Sequence, residues 1–266
     1  MTGSYVSEWW PSRAHDERWG VVRNDPMTGL AAQVVLLAVL AATVGLGLAG
    51  WVTGLAYALI TVVQLQRGLS RSGITAFGPA DWVTLTRMAL VGGAAALTAD
   101  AFLRTAPVGV LVSIAVVALL LDWVDGQVAR RTGTASEFGA RFDMEVDSFL
   151  LLVLSVFAAR TVGAWVLVFG GMRYAFLAAG WVLPWMRAQL PPRYWRKVVA
   201  TTEGVALVLA VANLLPRPLT LLALVAATCL LVESFGRDVL WLWHNRPSGP
   251  QRRVQNPAEV GRRDRG

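Results

Sequence analysis

Long apolar stretches separated by short polar breaks fill the chain from about residue 30 to residue 245. A helix needs about 20 mostly apolar residues to cross the hydrocarbon core of a bilayer. We therefore predict membrane-spanning helices over approximately residues 30–48, 50–66, 82–101, 105–123, 143–160, 162–184, 198–215 and 218–240. The first two stretches meet at a glycine-rich junction, which allows two separate spans, one kinked span or a re-entrant hairpin. The pattern predicts an all-α fold, a polytopic integral membrane helical bundle.

The two ends of the chain are polar. Residues 1–29 mix charged side chains with three tryptophans and lack the short basic start and apolar core of a signal peptide. We expect this segment to be a cytoplasmic arm. Residues 246–266 are rich in Arg, Pro and Gly, a composition typical of a disordered tail.

Composition agrees with a membrane protein. Hydrophobic residues make up 55% of the chain, charged residues 15%, and the mean hydropathy is +0.52, whereas soluble domains carry about 25% charged residues. The net charge of +7 raises the question of nucleic-acid binding. We expect no such partner, because the sequence has no basic stripe interleaved with aromatic residues and no nucleic-acid-binding motif. The lone Cys229 excludes an intramolecular disulfide and a thiolate metal site.

Basic residues fall mainly on one side of the predicted bundle. With eight spans both termini share that side, and only Arg104, Arg160 and Arg217 fall on the other. Basic loops of membrane proteins face the cytoplasm and its anionic lipids. We therefore predict a multi-pass protein of the cell (inner) membrane, in contact with membrane lipids, whose basic side is cytoplasmic.

Four of the ten aspartates lie in one window of 26 residues, at the cytoplasmic ends of two consecutive predicted spans. Residues three and four positions apart share a helix face. The window therefore contains two stripes. The first consists of Asp122, Asp125 and Ala129, with Gly126 beside them, and the second consists of Gly139, Asp143 and Asp147. Two antiparallel helices joined by a short turn would bring the stripes together as a carboxylate cluster with small residues beneath it.

Crowded carboxylates at a membrane boundary repel one another unless cations compensate them. Oxygen ligands favour Mg²⁺, Mn²⁺ or Ca²⁺ over zinc, and such metals activate a pyrophosphate by neutralising its charge. Arg130 offers a bidentate contact to phosphate. Glu145 lies about 200° from Asp143 around the helix, so we exclude it from the cluster.

The window resembles the signature of the CDP-alcohol phosphatidyltransferase family. The family pattern D-x2-D-G-x2-A-R-x8-G-x3-D-x3-D is matched at all eight positions from Asp122 to Asp147. The resemblance implies a six-helix catalytic core, here about residues 79–240, and leaves residues 30–66 as an extra N-terminal hydrophobic hairpin. It also implies dependence on Mg²⁺ or Mn²⁺. The implied reaction transfers a phosphatidyl-type group from a CDP-alcohol lipid, which we expect to be CDP-diacylglycerol, to an acceptor alcohol and releases CMP, as in phospholipid biosynthesis.

The resemblance also implies roles for individual residues. Asp122, Asp125, Asp143 and Asp147 are the predicted metal site, and Asp143 and Asp147 are the predicted catalytic residues, Asp147 as general base. The first core helix of the family often begins with Asn, then Thr and Arg; Asp81 here replaces the Asn. The predicted substrate-binding residues are Gly126, Ala129, Arg130, Gly139, Thr84, Arg87, Arg173 and Lys197.

Purely structural roles are also open for four of these residues. Arg173 lies in the middle of a predicted span, where a charge is costly unless it faces a polar interior. Lys197 belongs to a basic segment similar to those that some relatives use for a phosphorylated acceptor. Helix capping and ordinary positive-inside charge would account equally well for Thr84, Arg87 and Lys197.

Two other functions are compatible with aspartates in a membrane protein. A transporter could use them as a cation or proton relay, but the sequence shows no inverted repeat and the aspartates cluster at one boundary. A Mg²⁺-dependent membrane prenyltransferase would carry two separated aspartate motifs, whereas both pairs here share one window. The sequence does not identify the acceptor alcohol, and it does not decide whether the protein forms a homodimer.

The asymmetry of basic residues predicts which loops face the cytoplasm. In a Cys229→Ala background, Thr134→Cys and Arg193→Cys should react with a membrane-impermeant maleimide only from the cytoplasmic side, and Arg217→Cys only from the outside. Labelling of Thr134→Cys and Arg217→Cys from the same side would contradict the span assignment.

Overall fold

The computed structural model describes residues 25–72, 79–132, 137–188, 190 and 194–246. These residues form eight α-helices, which are α1 (Asp25–Val44), α2 (Leu48–Ser72), α3 (Pro79–Asp100), α4 (Val108–Thr132), α5 (Glu137–Val162), α6 (Val168–Val182), α7 (Tyr194–Ala212) and α8 (Arg217–His244). Short 3-10 helices at Ala164–Leu167 and Pro184–Arg187 flank α6. The described residues contain no strand, which confirms the predicted all-α bundle. Most of the predicted N-terminal arm (1–29) and C-terminal tail (246–266) lies outside the described residues.

Each predicted span corresponds to one helix or, for residues 162–184, to α6 with its flanking 3-10 turns. Four segments are long and apolar enough to cross a membrane, namely Met27–Val44, Leu48–Arg67, Ala164–Val182 and Arg217–His244. Val108–Val124 of α4 is a shorter apolar segment. Helices α3, α5 and α7 carry charged residues into the bundle, including the buried Arg87 and Glu203. Hydropathy alone does not identify these three as spans, and their membrane crossing stays a prediction.

The first two predicted spans form a hairpin rather than one kinked helix. Gly45 connects them with a φ of 74°, a left-handed conformation that favours glycine. The tip of the hairpin is attached to the core, because Asp100 at the end of α3 accepts a hydrogen bond of 2.9 Å from the Gly47 amide. Arg104 donates a hydrogen bond to the Gly45 carbonyl. These contacts hold α1 and α2 in register with α3.

Helix α3 lies at the centre of the bundle and packs against α1, α2, α4 and α5. Residues 91–98 of α3 are all buried and are mostly small. A side chain at Gly92 would overlap the amide group of Gln33 on α1, and one at Gly93 would overlap Leu36. Small residues at these positions let the hairpin approach α3 closely. The same helix carries Arg87 toward α4 and α5.

Candidate active site

Three of the four predicted metal-site aspartates come together. Asp122 lies near the end of α4, and Asp143 and Asp147 lie one turn apart near the start of α5. One carboxylate oxygen of each residue lies within 4.8 Å of the others. The two helical stripes that the spacing indicates therefore meet at one end of the bundle.

The fourth aspartate, Asp125, follows Asp122 by three residues on α4 and so lies on the same helix face. Its side chain lies outside the described part of the structure, as do the side chains of Ala129 and Arg130. Gly126 belongs to the same stretch, and α4 continues through these positions to Thr132. Their predicted roles at the site stay predictions.

Arg87 of α3 lies at the centre of the three carboxylates. Its side chain is 0% exposed, and its Nη1 atom lies 2.6 Å from Oδ1 of Asp122 and 3.5 Å from Oδ1 of Asp147. Nη2 of Arg87 pairs with Asp143. A buried guanidinium is stable only when such partners compensate its charge. The pairing of Arg87 with all three aspartates favours a role at the site over ordinary positive-inside charge.

Ionised, the three carboxylates and the single guanidinium leave two negative charges uncompensated. The aspartate side chains are 28%, 33% and 34% exposed for Asp122, Asp143 and Asp147, so a ligand can reach them from the polar phase. The donors are all oxygens, the type that Mg²⁺ and Mn²⁺ prefer. Charge, access and donor type therefore all fit a divalent cation.

Three further predicted substrate-binding residues lie on α3, α5 and α7. Thr84 and Gly139 are half-buried and lie one turn before Arg87 and Asp143 respectively. Lys197 of α7 is exposed and close enough to Asp147 to interact with it electrostatically. These positions suit contacts with a charged ligand.

Arg173 of α6 is paired away from the three aspartates. Its Nη2 atom lies 2.5 Å from Oε1 of Glu145 on α5. Glu145 is outside the aspartate group, as its angular position on α5 predicts. The partner of the mid-span arginine is therefore a carboxylate of α5 that does not face the cluster, and the side chain of Arg173 remains 22% exposed.

A sequence profile described as CDP-alcohol phosphatidyltransferase matches residues 77–233. The match covers more than half of the chain and includes Arg87 and all four aspartates. The chain belongs to the CDP-alcohol phosphatidyltransferase family. Comparison with curated proteins and with solved structures gives no match.

Family membership identifies this phosphatidyltransferase as an enzyme that transfers a phospho-alcohol group from a CDP-alcohol to an alcohol acceptor. The family is typically dependent on divalent metal, and the three convergent aspartates could hold such an ion. This activity is favoured over the transporter and the prenyltransferase that the sequence also allows. Helices α1 and α2 precede the matched region.

Sequence reasoning missed two ion pairs that join neighbouring helices of the bundle. Arg196, grouped by sequence with the basic segment, pairs through Nε with Oδ2 of Asp238 on α8 at 2.8 Å. This ion pair and the one between Arg173 and Glu145 join residues far apart in sequence, so no spacing rule could have found them. The sequence predicts Arg87 as a substrate-binding residue, but its burial and its pairing with three aspartates appear only in the structure.

Replacement of Arg87 should destabilise the protein in the absence of divalent cation. Arg87→Met would leave the three aspartates without their buried counter-charge, and we expect the free energy of unfolding to fall by at least about 2 kcal/mol, because loss of one partner from a buried pair costs roughly 3–5 kcal/mol and these carboxylates are partly solvated. Thermal unfolding in detergent would measure the loss. Adding Asp143→Asn should restore part of it by relieving repulsion.

The control for Arg87 is Arg67→Met, which alters an exposed arginine on α2. Exposed substitutions usually change stability by no more than about 0.5 kcal/mol. Equal losses in Arg87→Met and Arg67→Met would contradict the compensating role of Arg87.

Proposed function

We propose that this enzyme transfers a phosphatidyl group from CDP-diacylglycerol to an acceptor hydroxyl and releases CMP, as a step of phospholipid biosynthesis. The convergence of Asp122, Asp143 and Asp147 around Arg87 is the observation that carries the proposal. A lipid donor suits an active site at one end of a bundle whose outer surface is apolar. Exposed residues of α8 such as Leu222 and Val232 are typical of a lipid-facing surface.

We assign Asp122, Asp125, Asp143 and Asp147 to the binding of Mg²⁺ or Mn²⁺ beside the pyrophosphate of the donor. A bound divalent ion would neutralise charge on the transferring and leaving oxygens. Arg87 holds the carboxylates together, and its charge limits their mutual repulsion. This arrangement preorganises the site, because the carboxylates need not be gathered when the donor binds.

Substrate contacts are assigned to residues around the aspartates. Gly126, Ala129 and Gly139 have small side chains that let a phosphate approach the helix backbone, and Arg130 can hold a phosphate with two hydrogen bonds. Thr84 offers a hydroxyl beside Arg87. Lys197, which carries a positive charge on α7 near Asp147, is assigned to phosphate or acceptor contacts, whereas Arg173 is paired with Glu145 away from the aspartates. We place the site on the cytoplasmic side of the cell membrane, because the asymmetry of basic residues in the sequence predicts that the connection between α4 and α5 is cytoplasmic.

The transfer makes one bond to phosphorus and breaks another. The acceptor hydroxyl oxygen bonds to the phosphorus that carries the diacylglycerol group. The bond from that phosphorus to the oxygen it shares with CMP breaks, and CMP leaves with the electron pair. The proton of the acceptor hydroxyl goes to the carboxylate of Asp147. We assign this role to Asp147 because it lies one turn deeper on α5 than Asp143, where an acceptor can approach the phosphorus opposite CMP.

CMP release tests the reaction directly. Purified protein with CDP-diacylglycerol, Mg²⁺ or Mn²⁺, and a panel of glycerol 3-phosphate, an inositol phosphate, a phospholipid and a polyol should release CMP with at least one acceptor. Asp122→Asn, Asp125→Asn and Asp143→Asn should each lower kcat at least about 100-fold, the usual loss for one charge-stabilising group. EDTA should abolish turnover reversibly.

The matched control is Asp100→Asn, the same chemical change about 20 Å along α3 from Arg87. Its side chain can still accept the Gly47 hydrogen bond, so turnover should be retained. Full activity in Asp122→Asn or Asp143→Asn would contradict the proposed metal site.

Asp147 should differ from the other aspartates in kinetics. Asp147→Asn removes the proton acceptor, and we assign Asp147 a smaller share of metal binding than Asp122, Asp125 and Asp143, so kcat should fall severely while affinity for CDP-diacylglycerol with Mg²⁺ stays within about tenfold, or 1.4 kcal/mol. Calorimetric titration of CDP-diacylglycerol into Asp147→Asn and Asp122→Asn measures the difference. If Asp147→Asn loses donor binding as completely as Asp122→Asn, then Asp147 is primarily a metal ligand and its general-base assignment is wrong.

A further inference from the structure

Tyr57 belongs to the N-terminal hairpin and lies outside the region that matches the family. The residue is 8% exposed. Its ring stacks on Phe149 of α5, with the ring centroids 4.8 Å apart and an interplanar angle of 18°. Phe149 follows Asp147 by two residues, so the hairpin contacts the catalytic helix at the level of the proposed general base.

The hydroxyl of Tyr57 is buried and has no hydrogen-bond partner among the described residues. Buried tyrosine hydroxyls usually find a partner, because an unsatisfied polar group in the interior costs about 1–3 kcal/mol. The phenol is nevertheless close enough to Arg87 and Asp147 to interact with both electrostatically. An unpartnered donor beside these two residues indicates a bond that forms only when a ligand is bound.

A second polar group of the hairpin lies near Tyr57. Gln33 of α1 is 2% exposed, and its Nε2 atom also lacks a partner within the described part of the chain. Tyr57 and Gln33 line one small cavity together with Leu85 and Met88 of α3, the neighbours of Arg87 in sequence. Two polar atoms of the hairpin therefore lie unpaired at one small cavity against α3, and the contacts at Gly45 and Gly47 fix the hairpin on the core.

We propose that Tyr57 is an acceptor-binding residue, whose phenol donates a hydrogen bond to a hydroxyl or phosphate oxygen of the acceptor alcohol beside Asp147. The inference rests on the proposed function. The acceptor is favoured over the donor as the ligand because Asp147 takes the acceptor proton in that mechanism, whereas CDP is assigned to the α4 stripe. The N-terminal hairpin is then part of the active site of this chain.

The test is Tyr57→Phe, which removes only the hydroxyl and keeps the ring on Phe149. With the acceptor from the panel that supports CMP release, the KM for acceptor should rise about tenfold, which corresponds to 1.4 kcal/mol. The KM for CDP-diacylglycerol should stay within about twofold, because the donor does not contact the phenol. The Tm of the ligand-free protein should not fall, since the lost hydroxyl has no protein partner to lose.

The matched control is Thr61→Val, one turn along α2. The hydroxyl of Thr61 already donates to the carbonyl oxygens of Tyr57 and Ala58 at 2.8 and 3.0 Å within its own helix. This variant should leave both KM values unchanged.

The possible outcomes distinguish this inference from the proposed function on which it rests. An unchanged acceptor KM in Tyr57→Phe, with the wild-type enzyme active, contradicts the inference alone. An equal rise in both KM values, or a lower Tm, would assign the hydroxyl a structural role and also contradict it. Wild-type protein that releases no CMP with any acceptor contradicts the proposed function and removes the basis of the inference.

Discussion

The fully buried charge of Arg87 sets the geometry of the bundle around the site. A guanidinium inside a membrane protein is costly unless opposite charges surround it, and here Asp122 of α4 and Asp143 and Asp147 of α5 do so. Three helices must therefore keep their relative positions for the charge to be tolerated. The same requirement brings three carboxylates closer together than their repulsion would otherwise allow, and the excess negative charge provides a place for a divalent cation.

Two other arginines of the bundle are paired in the same way. Arg173 of α6 pairs with Glu145 of α5, and Arg196 of α7 pairs with Asp238 of α8. Each pair joins two helices and gives the arginine an opposite charge, which lipid could not supply. Because Arg173 pairs with Glu145, Arg87 is the arginine that pairs with the three aspartates among the described residues.

The sequence predicted those features of the fold and site that depend on local periodicity. Helix positions follow from the length of apolar stretches, and the meeting of Asp122 with Asp143 and Asp147 follows from spacings of four residues and a short turn. The burial of Arg87 could not be decided, because an arginine near the end of a span can reach the interface as easily as turn inward. The contact of Tyr57 with Phe149 depends on how the hairpin docks on α5, which no local pattern encodes.

The N-terminal hairpin carries polar groups that its packing does not need. A phenylalanine in place of Tyr57 would keep the stacking on Phe149, and an apolar side chain in place of Gln33 would remove an unpaired amide from the interior. Both changes would lower the cost of burying unpaired polar atoms. Stability of the free protein therefore does not account for either group. The acceptor contact that we propose gives the phenol of Tyr57 a partner, and the hairpin is then an extension of the acceptor site.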